Sequence, residues 1–398
     1  MRVPSSADRA VEALARRVLD PVVERLDFDR PLVRVLAGSA ALVGAVLLVV
    51  VVAALFFGPA EQQVTLNFLV SLIAVVGFGI YSGNSGILTF GHVAFMGIAA
   101  YASALLTVSP AIKAAALPNL APALRSIELP LGLAIVCALA VVAIAAFAFG
   151  FPISRLSAAA TPIATLAMLL ITYVVLVGAA DVTRGSQTFY GVPRLTDMTT
   201  AFVFSVVAIV VARWFRESVP GLRLRASRED EMAARSMGVD IPNLRVASWM
   251  LSALVVGLAG VMMGHLLTAF SPKQFYLTLQ FALVAMLVVG GPTTVTGAVG
   301  GTFLVSLLLE MARRVEGLLP TIGTDAFHLP EIFGLQEFTL GIVIIAVMYR
   351  RREGLLGRLE IDELILRWRR HRRGTVSPAA SDGLAARDMA AAREEVAR

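Results

Sequence analysis

Long, predominantly apolar runs constrain this chain more than any other feature of its sequence. Runs such as Leu32–Phe57, Leu131–Phe151 and Val246–Phe270 are long enough to cross a hydrocarbon layer about 30 Å thick. Lipid offers the backbone no hydrogen-bond partners, so segments of this length must bond within themselves as helices. Only 16% of the 398 residues are charged, against about 25% in an ordinary soluble domain. The sequence therefore predicts an all-α integral membrane protein.

The apolar windows indicate about ten transmembrane helices and three regions of the chain. A transmembrane domain is predicted over residues 32–357, after an N-terminal amphipathic segment (1–31) and before a basic cytoplasmic tail (358–398). The N-terminal segment is either a helix lying on the membrane surface or a solvated tail. The ten windows fall near residues 32–57, 64–81, 86–108, 131–151, 162–180, 200–215, 246–270, 277–291, 296–311 and 336–349.

Arginine density predicts the topology, because clusters of basic residues mark cytoplasmic loops. There are seven basic residues up to residue 34, six within 213–235 and nine within 350–373. Six windows precede the middle cluster and four follow it, so both termini are expected in the cytoplasm. Arg313 and Arg314 oppose the rule on the predicted outer side, where Glu310 and Glu316 offset them. Because the basic residues lie between and beyond the spans, we expect a lipid bilayer and no nucleic acid as the surroundings of this chain.

The sequence contains no energy source of its own. A phosphate-binding loop of the GxxxxGK[ST] type needs a lysine directly after a glycine, and the two lysines, Lys113 and Lys273, follow isoleucine and proline. Ion-coupled carriers commonly keep a carboxylate inside the bilayer, but no Asp or Glu lies near the middle of any window. The energy is therefore expected from a partner. An ion-coupled carrier that uses only backbone carbonyls and hydroxyls stays open as the alternative.

No group of residues predicts catalysis. The single cysteine, Cys137, lies in an apolar run, and the four histidines are scattered without the spacing of metal ligands. We therefore expect no enzyme, no metal site and no cofactor bound by this chain.

One polar stretch, which we call the coupling segment (residues 216–245), interrupts the membrane pattern. A short helix is predicted from about Ala226 to Met237, and Gly238 follows where a left-handed helix end favours a residue without a Cβ atom. Small residues would let this helix seat closely in a groove of another protein, with charged residues around the contact; a solvated hairpin is the alternative. The predicted docking residues are Arg225, Arg228, Glu229, Asp230, Glu231, Ala233, Ala234 and Gly238.

Residues Met232–Gly238 resemble the cytoplasmic loop of ABC importer permeases, whose pattern is Glu-Ala-Ala, three residues, then Gly. Met232 occupies the Glu position and Glu231 stands one place earlier. The wider stretch from Arg225 is similar to the branched-chain amino acid permeases of the LivM type, where a displaced acid is usual. Further segments that resemble this family are Tyr81–Tyr101, Ser252–Gly264, Leu287–Gly301 and Tyr349–Gly357.

The resemblance implies an ABC importer permease fold with several partners. These are a second homologous permease subunit, cytoplasmic ATP-binding subunits that hold ATP and Mg²⁺, and an extracytoplasmic substrate-binding protein, at the bacterial inner membrane. The implied cargo is a branched-chain or other apolar amino acid, with urea, short amides and aromatic acids still open. A membrane scaffold without transport is a further alternative.

Two glycine-rich stretches are the candidates for a translocation pathway: the first glycine segment (residues 83–91) and the second glycine segment (residues 290–301). A helix interrupted at membrane depth frees backbone groups that can bind an amino acid. The alternative for the first segment is a tight turn at the cytoplasmic surface; the resemblance favours a pathway. The residues predicted to line it are Gly83, Asn84, Ser85, Gly86, Gly91, His92, Gly290 and Gly291.

Overall fold

The computed structural model describes residues 31–318, 334–351, 354–357 and 360. The predicted N-terminal segment, as far as residue 30, and nearly all of the predicted tail lie outside these residues. The described residues from 31 to 357 belong to one compact unit.

The described residues form fifteen α-helices and one 3₁₀ helix, with no β-strand among them. In chain order the α-helices are α1 (Pro31–Phe56), α2 (Pro59–Ser85), α3 (His92–Thr107), α4 (Pro110–Ala116), α5 (Pro122–Arg125), α6 (Leu131–Ile153), α7 (Ala160–Gly178), α8 (Ala180–Thr183), α9 (Met198–Glu217), α10 (Val219–Glu229), α11 (Glu231–Ser236), α12 (Ile241–Leu267), α13 (Leu277–Gly290), α14 (Val295–Leu318) and α15 (Leu335–Arg350). The 3₁₀ helix (Pro272–Phe275) precedes α13.

Helices α2 and α12 form the centre of the bundle. α12 packs against α2, α3 and α6, while α9 packs against α1 and α2, and α14 against α13 and α2. Close packing of α12 on α3 depends on Gly260, where an added Cβ atom would overlap the backbone of Met96. Small residues at such crossings let helices approach in lipid, where apolar burial alone does not hold them together.

The outer helices expose their apolar side chains. The membrane-length parts of α1 and α6 are 28% buried, against 78% for α2 and 67% for α12. Side chains such as Leu55, Phe56 and Ile144 are therefore largely exposed. A soluble protein would bury these residues, whereas a bilayer solvates them.

All ten apolar windows coincide with helices, but not all of the helices have the length of a membrane span. Among the described residues, eight helices are long and apolar enough to cross a membrane, or nine if α3 and α4, bent by 118° from each other, count as one. Helices α3 and α15 have 16 residues each and rise only about 24 Å. The window 86–108 was too long because residues 86–91 are not helical.

The loop between α3 and α6 is folded on itself. It contains the short helices α4 and α5, and the buried Lys113 donates its ammonium to the carbonyl oxygens of Ile127 and Leu124. Leu129 N–H also donates to the Leu106 carbonyl at 2.8 Å.

Candidate functional site

The coupling segment contains two helices rather than the single predicted one. α10 ends at Glu229 and α11 begins at Glu231, and between them Asp230 has an extended backbone (φ −148°, ψ 107°). Its carboxylate accepts a hydrogen bond from Ala233 N–H at 2.9 Å. The prediction of one helix from Ala226 to Met237 is therefore wrong, because Asp230 acts as an N-cap and an N-cap residue is not itself helical.

The C-terminal end of α11 is the one the sequence predicts. Gly238 has a left-handed backbone (φ +77°). Its N–H donates to Arg235 O at 3.0 Å and the next N–H, of Val239, to Ala234 O at 3.1 Å. This pair of bonds satisfies carbonyls that a helix end leaves without partners.

The two predicted docking alanines point in different directions. Ala233 is exposed, as are Met232 (80%) and Met237 (83%), whereas Ala234 is only 8% exposed and packs inside the protein. Ala234 therefore cannot meet a partner in this conformation, because one face of α11 is used for packing within the chain. The outward face, which we call the α11 face, consists of Met232, Ala233 and Met237.

Glu231 is an internal anchor of the coupling segment. Its carboxylate accepts from Arg235 at 2.7 Å and from Arg245, in α12, at 3.1 Å. The Arg235 hydrogen bond, more than the charge and hydrogen bond of Arg245, holds the pKa of the Glu231 carboxyl below its usual value. The sequence had suggested an outward role for this acid, and the structure shows it joining α11 to a long apolar helix.

Arg225 and Arg228 also bond inward. Arg225 Nη2 donates to Arg216 O at 3.0 Å. Arg228 donates from Nε and Nη2 to Glu229 Oε1, at 3.2 and 2.7 Å, and from Nη1 to Gly83 O at 3.1 Å. The coupling segment is thus bonded directly to the first glycine segment, a contact the sequence did not predict.

The helical interruption in the first glycine segment is shorter than its glycines suggest. Helix α2 continues through Gly83, Asn84 and Ser85, which are buried, and is followed by Gly86 in a left-handed conformation (φ +73°). Asn84 Nδ2 and Ser85 Oγ donate to carbonyls one turn back in α2, those of Ile80 and Tyr81, each at 2.8 Å. The interruption is therefore confined to residues 86–91, since side-chain bonds and close packing hold the preceding residues in the helix.

His92 begins α3 inside an aromatic cluster. Its ring centroid lies 4.9 Å from that of Phe78 and 4.7 Å from that of Trp249. Nδ1 lies 2.7 Å from Thr89 Oγ1, and the buried Nε2 has no hydrogen-bond partner in the described part of the chain. The geometry is that of a packed, locally bonded ring at the start of a helix.

The two glycine segments touch each other. A Cβ atom added to Gly83 would lie 2.6 Å from Pro292 O. Gly290 is the last residue of α13 and Gly291 follows it. Both contact residues 354–357, where Leu356 N–H donates to Gly290 O at 3.1 Å. A cavity of about 280 Å³ separates part of α10 from the second glycine segment and is lined by Arg216, Arg225, Ala226, Arg228, Glu229 and Thr293. The structure thus brings together both predicted groups of site residues at one end of the bundle.

At the other end of the bundle lies a crevice that sequence reasoning missed. It has a volume of about 560 Å³ and lies between α1, α2 and α14. Its walls are mainly apolar, and its charged lining residues are Glu61, Glu310 and Arg314. Glu310 pairs with Arg313 at 2.7 Å and with Arg314 at 2.8 Å, so it supplies the offset expected for these arginines. The spacing of Glu310, Arg313 and Arg314 within α14 is enough to predict these pairs. The contact of Glu61 with Arg314 could not be predicted from spacing, because the two residues are 253 positions apart in sequence.

These features define the class of protein. Membrane-length apolar helices surround a buried centre, and the two short polar helices α10 and α11 connect α9 to α12. Within the described ranges, no group of three or more His, Cys, Asp or Glu side chains could hold a metal ion. The chain is a multi-pass membrane protein of the permease type. Residues 60–348 match the model of the family described as branched-chain amino acid transport system permease component, and the chain belongs to that family.

Two curated relatives have the same description. The chain is 24% identical over 282 residues to the high-affinity branched-chain amino acid transport system permease protein LivM of Salmonella typhimurium, and 23% identical over 281 residues to the protein of the same name from Escherichia coli. Each match covers 62% of this chain and 61% of the relative. The chain thus spans about three fifths of the length of these relatives. No solved structure matches it.

Proposed function

We propose that this chain is the membrane-spanning permease subunit of an ATP-driven importer. The observation that carries the proposal is the α11 face, an exposed apolar surface on a polar segment that is bonded to the membrane-length helices behind it. Met232 and Met237 are among the most exposed apolar side chains of the described residues, and methionine-rich surfaces suit adaptable protein contacts. A cytoplasmic ATP-binding subunit, which holds ATP and Mg²⁺, is the proposed occupant of this face.

The remaining parts of the proposal are supported by family membership and, for the topology, by the arginine clusters of the sequence. The permease pairs with a second homologous permease subunit and receives its cargo from an extracytoplasmic binding protein at the bacterial inner membrane, with both termini in the cytoplasm. The cargo is a branched-chain or other apolar amino acid, which the family description and the names of both relatives support. This chain catalyses no bond change, and ATP hydrolysis belongs to its partners.

The test compares one substitution on two surfaces. Ala233→Glu puts a charge on the α11 face, and Ala123→Glu puts the same charge on the exposed helix α5 at the other end of the bundle. Each tagged variant is purified gently from its native cell, its partners are identified by mass spectrometry, and uptake of radioactive leucine is measured. We expect Ala233→Glu to lose both the ATP-binding subunit and uptake, and Ala123→Glu to keep both.

Two outcomes contradict the proposal. One is full ATP-driven uptake by Ala233→Glu, which would remove the α11 face from docking. The other is a wild-type chain that purifies alone and transports leucine after reconstitution without ATP, which would establish the ion-coupled carrier instead.

A further inference from the structure

Two arginines at the start and middle of the coupling segment reach backbone carbonyls of the two glycine segments. Arg228 Nη1 donates to Gly83 O at 3.1 Å, and Arg216 Nη1 donates to Thr293 O. Both arginines are well shielded, since Arg216 is 8% exposed as a residue and the Arg228 side chain is 22% exposed.

The Gly83 carbonyl is a group that needs such a donor. It belongs to the last turn of α2, where helix carbonyls have no partner within the helix. A cation near a helix C-terminus is also favoured by the helix dipole. Arg228 therefore binds α2 by charge and hydrogen bond at once, while its Nε and Nη2 bind Glu229 in α10.

The two glycine segments are in direct contact with each other and with the coupling segment. Gly83 lies directly against the Pro292 carbonyl, and Gly86 lies so close to the stem of Arg228 that an added Cβ atom would overlap it. Displacement of Arg228 therefore changes the contact of Gly86, and displacement of α2 changes the contact with Pro292. The cavity of about 280 Å³ beside Arg216 and Arg228 borders α10 at Ala226 and Glu229.

We propose that Arg228 and Arg216 are the positioning residues that transmit motion of the docked coupling segment to the two glycine segments. The inference rests on the proposed function, because it needs an ATP-binding subunit on the α11 face. Arg228 moves the end of α2, Arg216 moves the turn between α13 and α14, and the Gly83–Pro292 contact keeps the two displacements together. Neither arginine needs to touch the cargo or the ATP-binding subunit.

The experiment uses the full assembly with its ATP-binding subunits in lipid nanodiscs. Arg228→Gln and Arg216→Gln are compared with Arg155→Gln, which makes the same change at an exposed arginine stacked 4.2 Å over Phe151. Hydrogen exchange of residues 83–91 and 290–301 is measured by mass spectrometry with and without ATP, and leucine uptake per ATP hydrolysed is measured in vesicles.

In the wild type and in Arg155→Gln, ATP is expected to change the exchange of both glycine segments. In Arg228→Gln the partners still assemble and hydrolyse ATP, but the ATP-dependent change at 83–91 is lost and uptake per ATP falls at least about fivefold, the lower end of usual coupling between sites. Arg228→Lys keeps the charge but not the forked donors, and is expected to restore part of the coupling. If the Arg228→Gln protein fails to assemble with its partners, the Arg228→Lys and Arg216→Gln proteins test the proposal instead.

The failure of this inference is distinguishable from failure of the proposed function. A wild type without ATP-driven uptake removes the proposed function before any variant is compared. A working wild type with an unchanged ATP response and unchanged uptake per ATP in both glutamine variants overturns the arginine contacts alone. Equal losses in Arg155→Gln would likewise overturn them, because the effect would then belong to any cytoplasmic arginine.

Discussion

The carboxylate of Glu231 and the guanidinium of Arg245 lie 3.1 Å apart and join α11 to α12. The two side chains differ in environment, since Arg245 is 8% exposed and Glu231 is 43% exposed. Glu231, the acid nearest in sequence to the docking pattern, thus stabilises α11 through a contact within the chain. The charge of Glu231 thus has a partner within the permease itself, whatever binds the α11 face.

Replacement of Glu231 by glutamine should destabilise the coupling segment. Glu231→Gln leaves the buried Arg245 without its carboxylate, and we expect a loss of roughly 1–2 kcal/mol, below the value for a fully buried pair because Glu231 is partly solvated. Arg235→Ala removes the exposed partner and should cost roughly 0.5 kcal/mol. Unfolding in detergent, monitored by hydrogen exchange of residues 231–239, measures the loss of stability in both variants. Equal effects would show that Arg245 is not the decisive partner.

The same carboxylate gives the coupling segment an acid limit. The pKa of Glu231 in the folded chain lies below its usual value of 4.5, so its ionised form stabilises the fold at every pH above that value. The contribution should begin to fall below about pH 4.5 and disappear as the pH passes the lowered pKa. Amide protection of α11 should therefore be level from neutral pH to about pH 5 and fall below it. Glu231→Gln should lack this fall, and an identical profile in both proteins would contradict the assignment.

Gly86 should not tolerate alanine. Its backbone is left-handed (φ +73°) and its Cα faces the stem of Arg228, so Gly86→Ala is expected to cost about 1–2 kcal/mol for the backbone alone, and more from the displaced arginine. Gly44→Ala is the matched control, because Gly44 lies within α1 with nothing within 4 Å of an added Cβ atom. That change should be neutral or stabilising by up to about 1 kcal/mol. Thermal unfolding of both variants is measured in the same detergent. Equal unfolding midpoints would contradict the prediction, because they would show that alanine fits the backbone at residue 86 without strain.

The crossing of α12 and α3 should depend on Gly260. A Cβ atom there would overlap the Met96 backbone, which cannot rotate away as a side chain can. We expect Gly260→Ala to cost about 1–3 kcal/mol, as overpacking does, and Gly341→Ala, in the open surroundings of α15, to cost nothing. The readout is the unfolding midpoint, together with the yield of monodisperse protein. A Gly260→Ala protein of normal stability would show that α12 and α3 lie farther apart at this crossing than the structure places them.

The apolar windows predicted the helices well because the length and hydropathy of a run are local properties of the sequence. Each window holds a helix, and the difference lies in residues 86–91, whose apolar side chains Ile87 and Phe90 resemble a span while the backbone is not helical. Hydropathy measures burial in lipid or protein alike, so it does not distinguish a helix from a buried irregular stretch. Family membership and the permease class were also accessible, since the loop pattern at Met232–Gly238 is local.

The parts that could not be predicted are those that depend on distant contacts. Asp230 ends a helix because its side chain caps the next one, and its neighbours Glu229 and Glu231 are ordinary helix formers that conceal the break. The inward direction of Ala234 and the bond from Arg228 to Gly83, 145 residues apart, depend on how α10 and α11 pack. Arg216 was counted as a basic residue of a cytoplasmic loop, and nothing in its spacing points to Thr293.

The burial of Lys113 has a practical consequence for chemical labelling. The chain contains two lysines, and Lys113 is enclosed by the loop that it stabilises while Lys273 is exposed. A membrane-impermeant amine reagent applied to sealed cells should therefore find one lysine side chain, at the start of the 3₁₀ helix before α13. Modification of Lys273 from outside would fix the orientation of the whole bundle with a single peptide.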